Sequence, residues 1–453
     1  MPNFTIELCL LDNQTQKKLV VVSDMTDYKA ILKIASNKLN KKILSVHTES
    51  NAMYNQSSIS NGDIFYCSTK YIKPTSSISI QKDDVIVSIV AVNSYIQDNA
   101  INQLETLKKL EGATHVFGMP DLHVGGGVPI GSVTITNGVI HPSLIGDDIG
   151  CGMSLFKTNL SNNVSQKNLK RMADLLNLED GEDILHLFDN SVFEKYIDKI
   201  QTNFLTKSIG TIGRGNHFSE LQIVEKIYNQ DLATQYNITE NNIYLTVHSG
   251  SRGFGDAILT AFNDKSININ EYKDLHQIAL TWARYNRDSI ATRFCSQISD
   301  NCIEFEKIAD MFHNFYEEKD DMVIHRKGSA PCEIGKLIVI PGSRGALTYV
   351  VNPLRSDITH GYSVSHGAGR KVSRGKAVEL MEDSDDTGRQ KKLNSEKFGE
   401  NIVICENKDL FCEESPFAYK DIDVVVNDLV ELGLVEIVMS LRPIITYKMR
   451  CSC

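Results

Sequence analysis

Met119-Pro-Asp-Leu-His-Val-Gly-Gly-Gly-Val-Pro-Ile-Gly131 decides how this chain is read. An apolar stretch runs into a histidine and then into three glycines. Glycine lets backbone approach a ligand closely and expose its N–H groups. The same arrangement returns downstream in Gly213–Gly215, Gly250–Gly255, Gly342–Gly345 and Gly367–Gly369, and nearly every cluster adjoins a histidine. From about Val85 to the C-terminus there is no second linker. Glycine-punctuated short strands surround a helix-rich middle, Ile269 to Phe315, and residues 85–453 read as one large α+β domain.

Upstream the pattern changes near residue 80. Phe4 to Leu11 alternates apolar and polar residues, and Lys18 to Val22 reads as its hairpin partner across Asp12–Lys17. Tyr28 to Leu39 has helical spacing through Ile31, Leu32, Ile34, Ala35 and Leu39, and Ile43–His47 and Ile64–Ser68 read as strands. This ββαββ order over residues 1–70 resembles a ubiquitin-like β-grasp. Residues 71–84, with Pro74 and several serines, read as a linker. Nothing in the first 70 residues forms a catalytic cluster, so a docking or stabilising module is expected there.

The whole chain is 453 residues, 42% hydrophobic and 23% charged, which suits a globular protein of two or three domains and excludes a disordered or fibrous one. A formal charge of −10 argues against a general nucleic-acid coat but leaves room for a locally basic groove. No apolar run approaches the roughly 18 residues of a spanning helix, so no membrane partner is expected. The first residues lack a basic segment followed by an apolar core, so secretion is not expected. Ten cysteines without a CxxC pair point to free thiols in a reducing cytoplasm. The terminal Cys451-Ser-Cys453 reads as an inert tail.

Of the 12 histidines, His217, His248, His325 and His366 fall in the glycine-rich segments, and His123 fits either a turn or a functional role. His47, His115, His141, His186, His276, His313 and His360 lack that setting and read as ordinary structural histidines. Gly146-Asp-Asp-Ile-Gly-Cys-Gly152 places a carboxylate three residues before a thiol. Carboxylate, thiolate and imidazole together bind divalent transition ions, and donor softness alone favours zinc. Arg252, Arg326, Lys327, Arg344, Arg370 and Arg374 stand beside the same loops, where cations and exposed N–H groups suit phosphate. Metal plus phosphate points to phosphoryl or nucleotidyl transfer.

In order along the chain, Met119–Gly131, GDDIGCGM (146–153), GRGNHFSE (213–220), HSGSRGFG (248–255), HRKG (325–328), PGSRGALTYVV (341–351), HGAGR (366–370) and Leu441-Arg-Pro…Tyr447-Lys448 resemble RtcB-type RNA ligases over about residues 87–449. The resemblance implies that family's own α+β fold. It also implies joining of RNA 2′,3′-cyclic phosphate or 3′-phosphate ends to 5′-hydroxyl ends with GTP and two Mn²⁺ ions, manganese replacing the zinc expectation. Carried over residue by residue, the implied metal ligands are Asp148, Cys151, His217, His248 and His325, with Cys151 bridging. The implied guanylylated residue is His366, with Asp121 orienting the site. The implied GTP contacts are Asn216, His217, Phe218, Glu220, His325, Arg326, Pro341, Gly342, Ser343, Arg344, Thr348, His366, Gly367, Ala368, Gly369 and Lys448. Implied partners are such RNA ends, an archease-like activator, and a separate partner for the front module.

The chain departs from the family's common pattern at Arg214, at Arg344 with Ala346, and at Met449 after Lys448. With the extra front domain, these departures resemble a divergent, shorter branch of the family and leave RNA repair and tRNA splicing both open. A metal-dependent phosphoesterase of RNA ends and a non-enzymatic RNA-end adaptor are the alternatives. The intact His366 argues against the adaptor.

Overall fold

The computed structural model describes residues 3–10, 13–23, 28–48, 64–68, 85–181, 196, 199–200, 208–213, 215–299, 302–382 and 401–450. The chain divides into two compact units, Met1–Ile80 and Gln81–Cys453. The expected linker at 71–84, Arg214, His186 and the terminal cysteines lie outside the described residues.

In the first unit, β1 (Asn3–Leu10), β2 (Asn13–Ser23), a helix (Tyr28–Leu39), β3 (Ser45–Thr48) and β4 (Ile64–Ser68) follow one another. The sheet order is β2-β1-β4-β3, with β1 and β4 parallel. Ile6, Leu8 and Leu10 lie two apart on β1, and Ile31, Ala35 and Leu39 four apart on the helix. Each set is buried in one shared core, as periods of 2 and 3.6 require.

The second unit holds β5 (Ile86–Ile89), β6 (Ala113–His123), β7 (Ile130–Asn137), β8 (Gly152–Ser161), β9 (Phe218–Ile227), β10 (Asn242–Ser249), β11 (Phe305–Phe312), β12 (Asn314–Lys319), β13 (Met322–Lys327), β14 (Ser329–Pro331), β15 (Ile338–Pro341), β16 (Thr348–Pro353), β17 (Ser363–Ser365), β18 (Ile402–Cys405) and β19 (Val435–Met449). One sheet runs β11-β8-β10-β9-β19-β16-β15, with β18 paired to β19, and a second runs β12-β13-β7-β6-β5. Both sheets contribute to one core, through Phe117, Met119, Val133 and Ile135 from the second and Met153, Leu155, Val350 and Met439 from the first. The opposite face of the larger sheet is covered by helices. On β10, Tyr244 joins the shared core while Ile243, Leu245 and Val247 point the other way, onto Leu169, Ala173, Ile290 and Phe294. The unit is thus α+β, and among the described residues no helix is long and apolar enough to cross a membrane.

The covering helix Ile269–Ile298 starts with a reciprocal capping box between Asn268 and Glu271. Its buried Arg287 reaches under the glycine-rich loops. The guanidinium meets Asp310 at 2.8 Å and donates to the carbonyls of Gly150 and Ser249, each at 3.1 Å. The neighbouring Asn286 donates to Ser249 Oγ and the Gly250 carbonyl. A buried ion pair contributes little net stability, but leaving one partner alone costs about 3–5 kcal/mol. This pair therefore fixes loop position more than it strengthens the fold.

The helix-rich reading of Ile269–Phe315 is corrected. Helix ends at Ile298, and Phe305–Phe312 is a strand hydrogen-bonded to β8. Phe305, Ile308, Ala309 and Phe312 carry helical spacing in sequence, so periodicity alone pointed the wrong way. The ladder with β8 decides the conformation instead.

Candidate metal and nucleotide site

A cavity of about 1380 Å³ opens where the glycine-rich loops and strand ends meet. Asp148 and Cys151 come from the turn before β8, His217 from the residue before β9, His248 from β10, and His313 from the single residue between β11 and β12. The His313 N–H donates to the Cys151 carbonyl at 2.8 Å, which holds these two elements together. Cys151 Sγ lies 3.2 Å from both His217 Nε2 and His248 Nε2. His248 Nε2 is 3.3 Å from His313 Nε2, and His217 Nε2 is 2.9 Å from Asp148 Oδ2. Two ligand groups result, Asp148–Cys151–His217 and Cys151–His248–His313, and they share the thiol.

Local backbone aims these donors. His217 Nδ1 contacts the Ile212 carbonyl at 3.1 Å, which turns Nε2 toward the cluster. Asp148 Oδ1 accepts the Arg252 N–H at 3.2 Å. Only glycine fits at 250, because a Cβ there would lie 2.3 Å from Asp148 Oδ1. Burial would raise the Asp148 carboxyl, but His217 and Arg252 hold it below its ordinary value. Burial and the nearby Asp148 push the Cys151 thiol well up. Burial and neighbouring cations push His248 and His313 well down. Neutral imidazoles beside a carboxylate and a displaceable thiol proton are the donor set that a divalent transition ion takes, and the residues fit such a metal.

Beside this cluster sits His366, its ring centre 4.7 Å from that of His313. Asp121 Oδ2 accepts the His366 N–H at 3.0 Å and lies 2.7 Å from His366 Nδ1. One carboxylate oxygen thus fixes both backbone and ring. Burial would raise Asp121, but the hydrogen bond to His366 and the charges of His366, His123 and Lys420 keep it below its ordinary value. Gly369 has φ +70°, and a Cβ there would come 2.2 Å from the Asp121 carbonyl, so the 366–369 loop packs directly on the aspartate. Lys420, drawn down to about 8 by burial, donates to the Pro120 and Leu122 carbonyls at 2.9 and 2.8 Å, bracing Asp121 from behind.

Elsewhere on the cavity wall, Glu220 accepts from Gln222 Nε2 at 2.9 Å and from Thr446 Oγ1 at 2.7 Å. Burial raises its carboxyl to about 7 against those hydrogen bonds and Lys448. Lys448 Nζ lies 3.5 Å from Glu414. Arg344 stacks its guanidinium 3.8 Å over the Phe411 ring. Asn216, Phe218, Pro341 to Ser343 and Gly367 to Gly369 line the same space, with Lys327, Arg370, Lys371, Arg374 and Lys376 supplying positive charge.

Three expected site residues stand behind this wall. His325 Nε2 accepts the His141 N–H at 2.9 Å and its Nδ1 contacts the Thr134 carbonyl, so both ring nitrogens are engaged away from Cys151. Arg326 is 1% exposed and holds Glu317, Ser363 and the Tyr362 carbonyl. Thr348 accepts from Gln222, which also reaches Glu220. The structure brings His313, a residue read above as structural, to the donor cluster where His325 was expected. His313 lies in Met311-Phe-His-Asn-Phe315 with no adjacent glycine, so a search keyed to glycine-flanked histidines passes over it. Arg287 and Asn286 were missed as well, since nothing in an amphipathic helix marks them.

Two candidate ligand groups that share a thiol, an aspartate-held imidazole and a cation-lined cavity together suit a metal ion and a phosphate-bearing ligand. The chain matches the family model described as "tRNA-splicing ligase RtcB" over residues 103–184, 182–268 and 256–449, and it belongs to that family. It is 34% identical over 397 residues to the RNA-splicing ligase RtcB2 of Escherichia coli, covering 84% of this chain and 98% of that protein. The tRNA-splicing ligase RtcB of Nanoarchaeum equitans is 28% identical over 458 residues, covering 81% of this chain and 94% of its own. That of Thermococcus kodakarensis is 26% identical over 455, covering 77% and 92%.

Proposed function

We propose that this RtcB-family protein is an RNA ligase that joins 2′,3′-cyclic phosphate or 3′-phosphate ends to 5′-hydroxyl ends, using GTP and Mn²⁺ through a guanylylated His366. The observation that carries the reading is the Asp121–His366 pair at 2.7 Å, set beside two ligand groups that share Cys151. Asp121 accepts the Nδ1 proton of His366, which leaves the Nε2 lone pair for attack on the α-phosphorus of GTP as pyrophosphate departs. Asp148, Cys151, His217, His248 and His313 would hold the metal ions. When bound, these supply positive charge against phosphate oxygens. Ionised Glu220 accepts from the guanine edge, Lys448 donates to its carbonyl, and Ser343 with the 367–369 backbone holds phosphate oxygens. GMP then passes to the RNA 3′-phosphate, and the 5′-hydroxyl displaces it.

The first unit, on this proposal, is a β-grasp module over residues 1–70 that docks a partner, and an archease-like protein assists the large unit. The free cysteines support a reducing, cytoplasmic setting. The test is to supply RNA fragments with a 3′-phosphate and a 5′-hydroxyl, with GTP or ATP and with Mn²⁺ or Mg²⁺. Joined product with GTP and Mn²⁺ supports the reading. Cyclic phosphate opened without joining would make the protein a phosphoesterase, and RNA bound but unchanged would make it an adaptor.

A further inference from the structure

Asp121 holds two imidazoles. Its carboxylate takes His366 Nδ1, and its main-chain carbonyl takes His123 Nδ1 at 2.8 Å. A carbonyl oxygen can only accept, so His123 carries its proton on Nδ1, and Nε2 is a bare lone pair. That nitrogen has no hydrogen-bond partner among the described residues, and His123 lines the same cavity as His366. Beside it the cavity is roomy, since a Cβ at Gly126 or Gly127 would meet nothing within 4 Å. No ligand group includes His123, and the chemistry assigned above gives it no task.

We propose, resting on the ligase reading, that His123 is the base for the joining step. Its Nε2 takes the proton of the attacking 5′-hydroxyl while the O5′–P bond forms. The bond from that phosphorus to GMP breaks, GMP leaves with the electron pair, and the imidazolium returns its proton to solvent. Burial pushes His123 down to about 4, so the ring waits neutral. Phosphates entering beside it bring negative charge that favours the protonated form at the moment of transfer. Guanylylation of His366 involves no hydroxyl nucleophile, so the two imidazoles held by one aspartate divide the reaction between them.

The experiment uses the full chain with GTP, Mn²⁺ and RNA ends bearing a 3′-phosphate and a 5′-hydroxyl. His123→Ala is expected to form the protein–GMP adduct within about threefold of the wild-type rate and to join ends at least 100-fold more slowly, the range of a lost general base. Added imidazole should restore joining to His123→Ala, entering the space the ring vacated, and should leave His123→Gln slow. Unchanged joining in His123→Ala overturns the proposal. So does slow joining that imidazole leaves unrestored, and so does loss of the adduct, because either result would make His123 a support for Asp121. A wild-type protein that forms no adduct would overturn the ligase reading instead.

Discussion

Glu220→Gln should stabilise the fold and abolish its use of GTP. The wild-type carboxyl is raised from 4.5 to about 7 by burial. Ionising it in the folded protein therefore costs about 3 kcal/mol more than in the unfolded chain, at 1.36 kcal/mol per pH unit. The sign follows from proton binding. Between about pH 4.5 and 7 the folded protein binds more protons at this site than the unfolded chain, so stability falls as pH rises through that window. Glutamine carries no charge, so its advantage should be under about 1 kcal/mol at pH 5 and about 2–3 kcal/mol at pH 8, after about 1 kcal/mol is deducted for the hydrogen bond its amide makes less well. Trp282, the chain's one tryptophan, is fully buried in the large unit and reports its unfolding by fluorescence in guanidinium. Guanine binding should move the other way, because the amide offers one acceptor where the carboxylate offers two, and wild-type GTP affinity should rise with pH through about 7. Equal stability gains at pH 5 and pH 8 would refute the assignment of a strained, ionised Glu220.

Metal stoichiometry, measured by calorimetric titration with Mn²⁺, should separate the ligands: Cys151→Ser loses more than one equivalent, and His313→Ala and His248→Ala each weaken one site. His325→Ala should keep the wild-type stoichiometry, because both its ring nitrogens are already engaged with His141 and Thr134. Asp121→Asn should slow adduct formation by about 10- to 100-fold, the loss expected for a charge-assisted hydrogen bond of about 1.5–3 kcal/mol, and quench-flow labelling measures it. Removing residues 1–80 should leave adduct formation intact, since no assigned residue precedes Asp121; a truncation that keeps its circular dichroism spectrum yet forms no adduct would contradict this.

Much of the site was legible because its chemistry is local. GDDIGCGM, GRGNHFSE and HSGSRGFG each carry a donor and close-packing glycines within a few residues, and the structure brings Asp148, Cys151, His217 and His248 together from them. What sequence could not show depends on contacts between distant strands. His313 joins the cluster because β11 pairs with β8 and its N–H meets the Cys151 carbonyl, a relation that neither spacing nor neighbours encode. His325 sits in an equally glycine-adjacent motif, but its strand pairs with β7 and turns the ring onto Thr134. The same ladder effect overrode the helical spacing of Phe305–Phe312. In the first unit the element order was readable, because periods of 2 and 3.6 alternate cleanly there.

Guanylylation of His366 is tested most directly by incubating the protein with α-labelled GTP and Mn²⁺ and mapping the labelled peptide. The expected result is an acid-labile, covalent GMP on the peptide that contains His366, absent in His366→Ala although that variant binds Mn²⁺ like the wild type. A label that persists in His366→Ala, or that maps to another residue, would contradict it.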